Sequence, residues 1–161
     1  MVYPTTFEQK IGFDQIRNLV SQRCISPLGL NFVQKIRMST KPETIRMMLE
    51  QVEEMRQILL FDSHFPAQDY FDMSEEIALL KLEGSHVDAE SLARLKSMLK
   101  TIEQIIGYVR KRETEKYPHL IALVDHLNFD STIISMLDRI VDDKGNIRDN
   151  ASPELQQIRR S

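Results

Sequence analysis

The chain has 161 residues, 42% hydrophobic and 28% charged, which suits one domain with a real core and excludes a disordered tail. Five glycines and six prolines leave little for a turn-rich all-β fold, and a net charge of −3 gives no global basic field for nucleic acid or anionic lipid. The lone cysteine, Cys24, forms no internal disulfide, and no apolar run approaches the roughly 20 residues that span a bilayer.

The segment Met1 to Lys10 carries Glu8 and no hydrophobic signal region, so a cytoplasmic location is expected. Phe13, Ile16, Leu19 and Val20 then form a short apolar helical face that fades after Arg23. Ser26-Pro27 reads as a helix start, with a serine cap and proline at the first helical position. Phe32, Val33 and Ile36 continue that helix's buried stripe, which is expected to end near Met38.

Thr40-Lys41-Pro42-Glu43 has the spacing of a capping box. After it, Ile45, Met48, Leu49, Val52, Met55, Ile58 and Leu59 recur at steps of three and four, with Arg46, Glu50, Glu53, Glu54 and Arg56 as a solvated face. The pattern predicts an amphipathic helix of about five turns. Asp62 to Phe71 reads as a loop, and a short helix is expected over Ser74 to Leu82, closed by Gly84.

Asp88 is the expected cap of a second long helix carrying Leu92, Leu95, Leu99, Ile102, Ile106 and Val109, with Arg110, Lys111 and Arg112 in its last turn. Tyr117-Pro118 opens another helix, with Leu120, Ile121, Leu123, Val124 and Leu127 apolar. Asp130 or Ser131 caps the next, which carries Ile133, Ile134, Leu137, Ile140 and Val141. Asp142 to Asn150, centred on Gly145, is a tight turn or short hairpin. Ser152-Pro153-Glu154 starts a last helix of about nine residues, marginal by itself, so the chain is expected to be cut from a longer one. The whole predicts an all-α multi-helix bundle.

Catalytic motifs are missing. The glycines Gly12, Gly29, Gly84, Gly107 and Gly145 are never closer than 17 residues, so neither a phosphate-wrapping loop nor a dinucleotide fingerprint can be built. His119 and His126 are seven apart, about 10 Å along a helix, too far to share a zinc ion held at about 2 Å. His86 beside Asp88 lacks a third ligand, and His64 stands alone. Placing Gly145 at the sixth position of a calcium loop puts Ile140 and Ala151 where acids are required. Cys24 beside Arg23 has no paired histidine and is read as packing. Arg110-Lys111-Arg112 and Arg159-Arg160 are short, have glutamates nearby and lack interleaved aromatics, so they read as solvated or helix-end charge rather than phosphate contacts. Met47, Met48 and Met55 read as core filling, with an adaptable partner surface as the other use.

Two stretches nevertheless resemble a known family. Phe7-Glu8-Gln9-Lys10-Ile11-Gly12-Phe13-Asp14-Gln15-Ile16-Arg17, followed by Ser26-Pro27-Leu28-Gly29, is similar to the opening of the bacterial second-type MutS proteins. The stretch Ile140–Arg159, IVDDKGNIRDNASPELQQIR, resembles that family's signature more specifically. The resemblance covers essentially the whole chain; the helical middle is only compatible. It implies a core and lever segment over residues 1–150, with 151–161 beginning a lever helix that leads to a clamp. Family members add an ATPase using ATP and Mg and commonly an Smr endonuclease domain. They are implicated as homodimers in mismatched or branched DNA binding, DNA repair, recombination suppression and collided-ribosome rescue. The implied segment is non-catalytic: no catalytic, cofactor-binding or metal residue carries over, and its nearest partner is the remainder of its own chain, with no membrane. A free-standing helical adaptor between proteins is the alternative.

Overall fold

The computed structural model describes residues 6–62 and 64–160. The opening residues 1–5, where no signal region is expected, Ser63 in the predicted loop and the terminal Ser161 lie outside the described residues. Among the described residues the fold is all-α, as the periodicity predicts. The helices are α1 (Phe7–Lys10), α2 (Phe13–Ser21), α3 (Pro27–Lys35), α4 (Pro42–Phe61), α5 (Ser74–Leu79), α6 (Ala89–Arg110), α7 (Pro118–Asp125), α8 (Thr132–Ile140) and α9 (Pro153–Arg160).

Caps explain most of the boundaries. Ser26 accepts the Gly29 amide at 3.0 Å, Asp88 the Ser91 amide at 2.8 Å and Ser152 the Leu155 amide at 3.2 Å, each beside a helix that starts one residue later. The predicted capping box at Thr40 does not form. Lys41 occupies the cap position without a side-chain bond, because Pro42 already supplies a first helical residue with no N–H to satisfy. The third helix stops at Lys35 rather than Met38, since Ile36 turns to ψ 129° and leaves helical space. Phe32 is exposed, and of that expected stripe only Val33 is buried. Gly84 adopts φ +77° beyond α5, which has already ended at Leu79.

The core lies where α4, α6 and α7 meet. Ile58, Ile106, Val109, Tyr117, Ile121 and Val124 are buried together, with Phe65 set edge-on against Tyr108 at 5.4 Å. The helix α8, with Ile134 and Leu137 buried, also packs on α6. Asp62 closes the end of α4, accepting the Tyr117 hydroxyl at 3.3 Å and pairing with Arg112 at 3.2 Å. At the other end of the chain α1, α2 and α3 pack on one another, joined by Arg17, which donates to the Val33 and Ile36 carbonyls and to Glu8.

Candidate functional site

The most elaborate polar construction sits where the chain leaves α8. Lys96 falls among the apolar positions of α6, and its side chain is carried inward with only 1% of the residue exposed. Its ammonium has three donors and meets three acceptors: the Val141 carbonyl at 3.0 Å, Asp143 at 2.8 Å and Asp138 at 3.2 Å. One turn later Lys100 reaches Asp138, also at 3.2 Å. Hydrogen bonding to Lys96, then its charge and that of Lys100, lowers the Asp143 carboxyl below its ordinary value. For Asp138, burial pulls upward, but the bonds from Lys100 and Lys96 outweigh it and the net direction is down.

This cation pins a turn that is itself well built. Asp142 accepts the Lys144 and Asn146 amides at 2.9 and 2.8 Å, and its own amide donates to the Asn146 carbonyl. Val141 and Ile147 form an antiparallel bridge, so the expected turn or short hairpin is present. Gly145 takes φ +81° and lies so close to α6 that a Cβ there would sit 3.3 Å from the Glu90 Cα. Beyond the turn, Arg159 of α9 reaches back to Asp149 and to the Ile147 carbonyl. The arrangement is a latched elbow between the bundle and α9.

A second device clamps α7 at both ends. Glu54, expected on the solvated face of α4, is buried and accepts the His119 and Leu120 amides at 3.1 and 2.8 Å, placing a carboxylate at the positive helix end. His119 sits between two carboxylates, Nδ1 at 2.7 Å from Glu54 and Nε2 at 2.8 Å from Glu50, so both contacts are hydrogen bonds when the ring is an imidazolium. At the far end Arg110 donates to the Val124 and Leu127 carbonyls at 3.1 and 3.0 Å.

The basic triplet is therefore divided. Arg110 serves α7, whereas Lys111 and Arg112 both line an open cleft of about 600 Å³ with His64, Gly107 and Tyr108, where Arg112 lies over the Tyr108 ring at 3.9 Å and pairs with Asp62. His64, His86 and His126 are exposed and separate, and among the described residues no group of three His, Cys, Asp or Glu is placed to hold a metal ion. Cys24 is half-buried, with its thiol 3.5 Å from the Val20 carbonyl. Met47 and Met48 are exposed and Met55 half-buried, so the expected core filling is met only in part. Gly29 and Gly107 lie inside helices, while Gly12, Gly84 and Gly145 each serve a separate single turn. The glycines therefore do not gather into one phosphate-cradling loop among the described residues. No helix of the described residues is long and apolar enough to cross a membrane.

Sequence reasoning passed over Lys96 and Glu54. The signal for Lys96 was its place four residues after Leu92 and three before Leu99, on the apolar face of α6. Glu54 carried no such signal.

No protein-family model matches the chain, and no solved structure matches it. Curated relatives do. The chain is 24% identical over 152 residues to a protein of Geobacillus sp. (strain WCH70), covering 93% of this chain and 19% of that one. Over 157 residues it is 28% identical to a Streptococcus gordonii protein, covering 97% and 20%. Over 153 residues it is 22% identical to one from Finegoldia magna, covering 94% and 19%. Each is named Endonuclease MutS2. The chain thus spans about a fifth of the length of the curated relatives it matches.

Proposed function

We propose that the chain is a non-catalytic structural segment of a MutS2-type protein, the core and lever piece that joins a DNA-gripping clamp to an ATPase. The observation that carries this reading is similarity over 93–97% of the chain to proteins of which it makes up only 19–20%. The geometry supports it: the polar clusters are spent on fixing helix ends and the exit turn, and such rigidity lets a small movement at one end become a larger one at the other. In this reading ATP, Mg and the endonuclease belong to other parts of a longer, cytoplasmic, homodimeric polypeptide. That polypeptide acts on mismatched or branched DNA in repair, in suppressing recombination and in rescuing collided ribosomes. A free-standing helical adaptor is the second reading, favoured by the exposed apolar residues of α4.

The test compares the 161-residue chain with the longest polypeptide its gene encodes. ATP turnover and branched-DNA binding at moderate salt are expected only in the longer one. Turnover by the short chain, or a reading frame that stops after Ser161, overturns the segment reading.

A further inference from the structure

The apolar stripe that the spacing predicts for α4 is not what holds α4 in the bundle. The helix meets the core through Glu54 and Ile58, whereas Ile45, Met48, Leu49, Val52 and Leu59 are exposed, the last three at 64%, 66% and 62%. At 3.6 residues per turn the two faces lie roughly 140° apart, and the open stripe runs for about 21 Å. Leaving five such side chains in water forgoes the burial that such a stripe ordinarily obtains.

The stripe has a repeat. Ile45, Val52 and Leu59 stand seven residues apart, and Met48 and Met55 fall between them at the alternate step. That is a short heptad seam of isoleucine, valine, leucine and methionine, and what meets such a seam side by side is another helix, because only a helix returns a knob every 3.5 residues. At the seam's edge an open groove of about 600 Å³, lined by Ile45, Arg46, Leu49 and Glu53, widens the contact. Four-fifths of each relative lies outside the span that this chain matches, which leaves ample chain length for a covering segment.

We propose that the exposed seam of α4 is the docking face for an α-helix contributed by the same MutS2-type polypeptide from outside residues 1–161, packed lengthwise against Ile45, Met48, Val52 and Leu59. The inference rests on the segment reading above and names the surface by which the segment joins the rest. The seam is shielded in the longer polypeptide and open in the short one.

Two measurements on the short chain and the longest encoded polypeptide test it. In the unaltered proteins, amides of α4 between residues 45 and 59 are expected to exchange about tenfold or more slowly in the longer one. Val52→Glu is expected to leave the melting temperature of the short chain unchanged, since the side chain is exposed there, and to lower that of the longer one by several degrees. A reading frame ending after Ser161 removes the segment reading and this inference together. A longer polypeptide with equal exchange, and an equal response to Val52→Glu, overturns this inference alone. So does a short chain that forms a dimer which Val52→Glu dissolves, because a second copy then fills the seam.

Discussion

At the scale of single residues, Lys96 does most to decide how the chain leaves the bundle. A methionine of similar length keeps the apolar stem but removes all three bonds to Val141, Asp143 and Asp138. Both carboxylates are partly or largely exposed and regain water, so Lys96→Met is expected to cost about 1–3 kcal/mol in urea unfolding, not the ~3–5 kcal/mol of a fully buried pair. The pH dependence has a definite sign. Asp138 and Asp143 are held below their ordinary value of 3.8, so their contribution is complete above that value and is lost as acid takes the pH through the lowered folded values. The gap in stability between wild type and Lys96→Met is therefore expected to narrow below about pH 4 and to stay constant from pH 5 to 7. A gap that widens in acid contradicts the latch. Spacing places Lys96 on the apolar face of α6 but not its partner, 45 residues away, and Glu54, whose partner is 65 residues away, reads as solvated until that partner is known.

At the scale of elements, what was legible was local. Ser26, Asp88 and Ser152 cap helices because a cap involves only the next three residues, and the sequence displays all of them. Thr40 was misread because Pro42 satisfies the same helix end by another route. The stripe of α4 was legible as a stripe but not as an open one: a repeat reports that a face will be covered and not by what. The turn from Asp142 to Asn146 belongs to the legible part, and Gly145 shows why. An alanine there must hold a left-handed backbone and press its Cβ on the Glu90 main chain, which cannot yield as a side chain would. Gly145→Ala is expected to cost about 1–2 kcal/mol and to speed exchange at the Asn146 and Arg148 amides, whose bonds close the turn, ahead of the α6 core. Unchanged exchange at those two amides contradicts the docking of the turn on α6.

At the scale of the whole molecule the chain divides into two packing groups of unequal strength. The group built on α4, α6 and α7 shares a contiguous set of buried aliphatic and aromatic side chains, with α8 packed on α6, whereas α1, α2 and α3 bury only Val33 among them. Contacts among α1–α3 and contacts among α4–α8 account for the principal helix pairings, and none of these crosses between the groups. With so little apolar area removed from water, the first group is held largely by Arg17 and its bonds to Val33, Ile36 and Glu8 at 3.0, 2.9 and 2.6 Å. Opening of α2 and α3 is therefore expected at lower free energy than global unfolding, with amides around Ile106 and Ile121 the last to exchange. Arg17→Ala releases the end of α3 and the ion pair together. It is expected to raise exchange in α2 and α3 about tenfold while leaving the Ile106 and Ile121 amides within a factor of about two, as befits separate cooperative units. Equal acceleration in both groups would show one cooperative unit and a coupling between α1–α3 and the core that none of the principal helix pairings of the described residues carries.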